Sequence, residues 1–129
     1  MNGIMLRVLS PRHQPAWRGL LAVLVLVVAW FAFSATTGTD AFEHADKVKH
    51  VLAFGIMASV ASLGWAASRS TGLRIAGALV LYGAFIEVVQ FFIPGRDASV
   101  LDLVADAVGV AAGLLAVRAA RLGLRQDNS

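Results

Sequence analysis

Between Asp46 and Asp106 the sequence carries a sparse set of ionisable and amide residues at spacings that could do chemistry. Asp46 and Lys47 stand four and three residues before His50, Glu87 stands three before Gln90, and Asp102 stands four before Asp106. On a helix each of these pairs shares a face. His50 and Glu87 are the candidates for general acid/base work, since imidazole titrates near neutrality and a carboxyl can give or take a proton. Lys47 and Arg96 are suited to hold an anionic group, Arg96 by two-pronged contact. Gln90, Asp46, Asp102 and Asp106 complete the expected binding set, by orienting those groups or by sharing a cation. The set counts four acids against two fixed cations, a balance of minus two with His50 neutral. A half-buried balance of that size calls for protonated carboxyls, a charged His50 or a bound cation. Oxygen ligands suit Mg²⁺ or Ca²⁺, and His50 leaves Zn²⁺ or Mn²⁺ open. No HExxH-type signature is present, so the sequence specifies neither a metal nor a cofactor.

The elements that must position these residues are apolar. Hydrophobic residues make up 58% of the 129-residue chain, charged residues 15%, and the mean hydropathy is +0.73. Soluble domains are roughly 45–50% apolar and about 25% charged. Disorder is excluded by this hydrophobicity, and the absence of cysteine excludes a disulfide scaffold, thiolate metal sites and a cysteine nucleophile. Four long runs approach the ~20 residues that cross a bilayer as a helix. The expected fold is an all-α, polytopic membrane protein, a bundle of four transmembrane helices. Residues 17–118 would form the membrane domain, with spans at about 17–36, 48–68, 73–93 and 99–118. A basic tail over 1–16 and a second tail over 119–129 would flank it. Thr36-Thr37-Gly38-Thr39, Ser68-Arg69-Ser70-Thr71-Gly72 and Pro94-Gly95 read as the breaks. The first run exceeds a signal-peptide core and Ala32-Phe33-Ser34 is a poor cleavage site, so it reads as an uncleaved span.

Charge sets the orientation. Arg7, Arg12, Arg18, Arg69, Arg74, Arg118, Arg121 and Arg125 fall on one side, and Lys47, Lys49 and Arg96 on the other. Eight against three places both termini in the cytoplasm of a multi-pass plasma (inner) membrane protein. The same arginines face anionic lipid rather than nucleic acid, because they are spread over segments that flank the spans. Every residue of the chemical set then lies towards the outer side. Glu87 is seven residues before Pro94 and Asp106 seven past Ser99, so each lies about 10 Å inside its helix end.

Each residue also has a structural use. Asp46 can complement the start of the second span, and Ser99-x-x-Asp102 has the form of a capping box. Gly109-x-x-x-Gly113 is a close-packing face. Lys47 and Lys49 can be interfacial lysines, Arg96 can pair with Asp97, and Trp17, Trp30 and Trp65 fit interfacial anchoring.

The ordered pattern Asp46-Lys47-x-x-His50-x-x-x-Phe54, Glu87-x-x-Gln90, Pro94-Gly95-Arg96 and Ser99-x-x-Asp102-x-x-x-Asp106-x-x-Gly109-x-x-x-Gly113 resembles the VanZ-like family. The resemblance runs from Asp46 to about Gly113, and the first run fits an additional span of that family. The family usually has Asn where this chain has Asp106. The resemblance implies a small multi-span bacterial membrane protein of the cell envelope, from a family whose founding member is associated with resistance to the glycopeptide teicoplanin.

Two functions follow as expectations. In the first, the polar cluster binds or modifies an anionic envelope substrate, a lipid-linked headgroup or a cell-wall precursor, with the lipid bilayer as the surrounding partner. In the second, the cluster locks the bundle or docks a partner without catalysis. Whether the chain is an enzyme, and its oligomeric state, are not specified by the pattern. A proton-coupled transporter is disfavoured, because the acids stop near one face.

Overall fold

A computed structural model describes residues 2–34 and 45–126. The described residues form helices joined by short links, with no strand among them. A short helix α1 (Asn2–Val8) and a 3-10 turn (Pro11–His13) lead into α2 (Gln14–Phe33); α3 (Ala45–Gly64), α4 (Arg69–Phe91) and α5 (Val100–Gln126) follow.

Several boundaries differ from the sequence expectation. The N-terminal stretch expected as a tail contains helix, and the Trp17 indole N–H donates to the Val8 carbonyl at 3.1 Å. Ser68 does not end the second long helix. It caps α4, its hydroxyl accepting the Thr71 N–H at 3.0 Å, so the expected turn over 68–72 is the first turn of a helix. The link is instead Trp65–Ala67. The C-terminal tail is helical as far as Gln126, which its Leu, Ala and Arg content favours. The threonine-rich break at 36–39 lies outside the described residues.

Among the described residues, Pro11–Phe33, Arg69–Phe91 and Val100–Leu124 are long and apolar enough to cross a membrane. Helix α3 is not in that set, because it opens on the polar turn Asp46, Lys47, Lys49 and His50. No residue of α2 is buried, and Val23, Leu26, Val27, Trp30 and Phe31 form a broad exposed apolar face. Such a face is expected against lipid rather than water.

Side-chain contacts give the helix directions. Tyr82 donates to the Val25 carbonyl and Gln90 to the Ala32 carbonyl, so α2 and α4 run the same way. His50 meets Asp106 and Arg121 meets the Ser62 carbonyl, so α3 and α5 run parallel to each other. Arg18 meets Gly64, so α2 opposes α3. The chain therefore runs up, down, up, down.

Helices α3 and α5 approach closest, through glycine. A Cβ on Gly109 would strike the Val51 carbonyl, and one on Gly113 would strike the Gly55 carbonyl. Small residues let backbones touch in this way. Phe54, Met57, Ala58, Ala61, Ile75, Leu79, Ile86 and Val110 form the buried core beside that contact.

Candidate functional site

The up-down order brings the C-terminal ends of α2 and α4 and the N-terminal ends of α3 and α5 to one end of the bundle. All eight residues of the chemical set lie there. They divide into two groups by what they touch.

The first group closes helix ends. A helix leaves its last carbonyls without intrahelical donors. At the end of α2 the Arg96 guanidinium donates to the Phe31 and Ser34 carbonyls, the latter from Nε at 3.2 Å and Nη2 at 2.7 Å, and Gln90 Nε2 reaches Ala32 at 3.1 Å. The turn before Arg96 makes this possible. Gly95 has φ +80°, the left-handed region that glycine enters freely, and the Arg96 N–H returns to the Ile93 carbonyl at 3.1 Å. The side chain of Arg96 is thus directed at α2 rather than engaged in an isolated pair with Asp97.

The second group is acidic and surrounds His50. Its Nδ1 lies 2.7 Å from Asp106 Oδ1, and Asp106 is 0% exposed. Lys47 Nζ is 3.5 Å from Asp102 Oδ1, with the lysine side chain 37% exposed and the aspartate buried. Glu87, 8% exposed, uses Oε2 to accept the Ser99 N–H at 2.7 Å. In a capping box the acid three residues into the helix would take that N–H. Here Glu87 takes it from the neighbouring helix, and Asp102 faces Lys47 instead. Asp46 sits in the first turn of α3, where a negative charge complements the helix dipole.

Three buried oxygens of this group, Glu87 Oε1, Asp102 Oδ1 and Asp106 Oδ2, make no hydrogen bond among the described residues. His50, Glu87 and Asp106 each offer a donor atom within 4.8 Å of the others, and Asp46, His50 and Asp102 do the same. Gly83 belongs to the site and does not stand out in the sequence. A Cβ there would strike Asp106 Oδ2, so glycine is what admits the carboxylate. Its signal is the spacing, since Gly83 lies one helical turn before Glu87 on the same face.

The opposite end of the bundle has its own closure. Arg18 Nε donates to the Gly64 carbonyl at 2.8 Å and its guanidinium lies 5.0 Å from the centre of the Trp65 ring. Arg121 donates to the Ser62 carbonyl at 2.6 Å. Both cap α3, a role that sequence alone does not separate from topology. A cavity of about 720 Å³ also lies at this end, lined by Ser68, Arg69, Arg118 and Arg121 among others. It is away from the His50 cluster, and the polar chemistry concentrates in the cluster.

Four antiparallel helices, a glycine-mediated α3–α5 contact and the Asp/Lys/His–Glu/Gln–Arg–Asp/Asp set at one end define a class of small helical membrane proteins. The sequence profile of the VanZ/LLP1 family matches residues 3–121, and the chain belongs to that family. No curated protein and no solved structure matches it.

Proposed function

We propose that this chain is a four-span protein of the bacterial plasma membrane, both termini cytoplasmic, whose His50 cluster binds an anionic headgroup at the outer interface. The headgroup would belong to a lipid-linked or cell-wall precursor. Two features support the fourth span. At ~1.5 Å per residue the 20 residues of α3 reach about 30 Å. Val48, Leu52 and Ile56, one turn apart, present an exposed apolar stripe suited to lipid. The orientation rests on the positive-inside rule, with Arg69, Arg74, Arg118 and Arg121 at the end away from the cluster.

The observation that carries the headgroup reading is the gradient along α3. Lys47 is more than a third exposed, His50 is half-buried, and Asp106 behind it is fully buried. An exposed ammonium above a histidine held by a carboxylate is an arrangement for receiving an anion and handling a proton. The N-terminal N–H groups of α3 and α5 point to the same end and favour negative charge. Asp106 fixes the imidazole, which makes His50 the acid/base candidate and Glu87 its companion. The experiment is binding of a long-chain lipid phosphate to the purified protein in nanodiscs. Saturable binding that Lys47→Ala and His50→Ala each weaken supports the reading. Binding equal to that of a neutral lipid overturns it.

A specific observation favours a second reading. Arg96, Gln90 and Glu87 all satisfy backbone groups at helix ends, so part of the polar set holds the bundle together without any ligand. If wild type binds no anionic lipid and each variant only lowers thermal stability, the protein is a structural or accessory component of the membrane.

A further inference from the structure

We infer that His50, Glu87 and Asp106 form a site for one divalent transition-metal cation, of the kind that takes mixed nitrogen and oxygen ligands. The inference stands on the cluster itself and does not require the headgroup reading; with the ion bound, His50 and Glu87 serve as its ligands and not as acid and base.

Three helices supply the three donors, and their ligand atoms lie within 4.8 Å of one another. Bonds of ~2.1 Å to a common ion put donors no more than ~4.2 Å apart, so binding requires side-chain rotation, with His50 Nδ1 turning from Asp106 Oδ1 to the ion. Proximity alone would mean little, but two of the three carry an oxygen with nothing to do. Asp106 uses Oδ1 on His50 and leaves Oδ2 without a hydrogen bond; Glu87 uses Oε2 on the Ser99 N–H and leaves Oε1 likewise. Both residues are more than nine-tenths buried. A buried carboxylate oxygen with no partner is costly, and a cation is the partner that satisfies it. Gly83 admits Asp106 Oδ2 against α4, where a Cβ would strike it.

The charges point the same way. Arg96 is turned to the end of α2, and Lys47 faces Asp102. Glu87 and Asp106 contribute two negative charges that these cations do not face, and a divalent ion offsets both. Asp46 and Asp102 form a second triplet with His50, but Asp102 already has Lys47 beside it. One imidazole with two carboxylates suits Zn²⁺ or Mn²⁺ better than the all-oxygen ligation that Mg²⁺ and Ca²⁺ take. Three protein ligands also leave positions for water or a substrate oxygen.

The test uses the full chain in detergent, stripped with a chelator and titrated with Zn²⁺, Mn²⁺ or Mg²⁺ alone. Calorimetry and metal analysis read the binding, and thermal unfolding reads its effect. The expected result is a single ion per chain, a saturable rise in Tm with Zn²⁺ or Mn²⁺, and a weaker response to Mg²⁺. Glu87→Gln, which preserves shape and the acceptor for Ser99, should weaken the affinity at least about tenfold, as should Asp106→Asn. Asp97→Asn, at an exposed acid outside both triplets, should leave it unchanged. Stripped wild type that takes up no stoichiometric ion overturns the inference, and this measurement depends on no variant folding. Equal affinity in wild type and Glu87→Gln also overturns it. Lipid phosphate binding by the stripped protein is measured separately, so loss of the metal site and loss of the headgroup reading give different results.

Discussion

The Glu87 carboxylate accepts the Ser99 N–H across the α4–α5 junction at 2.7 Å. The start of α5 is therefore fixed by a residue twelve positions earlier in the chain, on the helix it packs against. Glu87→Ala leaves that N–H without its acceptor and should destabilise the protein by about 1–3 kcal/mol. Glu87→Gln retains an acceptor and should cost less. Reversible unfolding in mixed micelles measures the difference, and equal losses in the two variants would show that the cap contributes nothing.

The glycines of the α3–α5 contact give predictions of opposite sign from a glycine elsewhere. Gly109→Ala drives a methyl group into the Val51 carbonyl and Gly113→Ala into that of Gly55, and each should cost about 1–3 kcal/mol. A methyl group added at Gly77 would meet nothing within 4 Å, so Gly77→Ala should stabilise α4 by about 0.5–1 kcal/mol. Thermal unfolding of the three variants side by side checks the ordering.

His50 and Asp106 should prove energetically coupled. A double-mutant cycle with His50→Ala and Asp106→Ala should return about 0.6–1.7 kcal/mol, the range of polar contacts between membrane helices. Additive losses would mean that the 2.7 Å contact carries no coupling.

Topology has a direct readout because the sequence contains no cysteine. Ala66 and Ala98 are exposed in the links at opposite ends of the bundle. In intact cells Ala98→Cys should react with a membrane-impermeant maleimide, and Ala66→Cys only after permeabilisation. The reverse pattern would invert the proposed orientation and put the cluster in the cytoplasm.

Much of the fold is legible in the sequence because apolar runs and their breaks are properties of the chain itself. The spacing of Asp46, Lys47 and His50, and of Asp102 and Asp106, places each set on one helix face, and that too is local. Partners across helices are not legible. Nothing in the neighbourhood of Arg96 says that it turns to the carbonyls of α2 rather than to Asp97. Arg18 and Arg121 read as topology charges, and only packing brings them to the end of α3. The Ser99–Asp102 pair has the pattern of a self-contained cap, and the packing of Glu87 displaces it. The boundary near Ser68 differs for another reason. A serine after a small-residue run resembles a helix end, while its bond to Thr71 makes it a beginning.

The glycine contact has a mechanical consequence. With main chain pressed on main chain at Gly109 and Gly113, α3 and α5 act as a single beam, and their polar first turns move together. His50, Asp106, Lys47 and Asp102 all ride on that beam. Any widening of the cluster must then come from α4 swinging outward, which separates Glu87 and Gly83 from Asp106 and pulls on the Ser99 bond. The Pro94–Gly95 turn joins α4 to α5 beside the cluster, and Arg96 just beyond it ties that turn to α2.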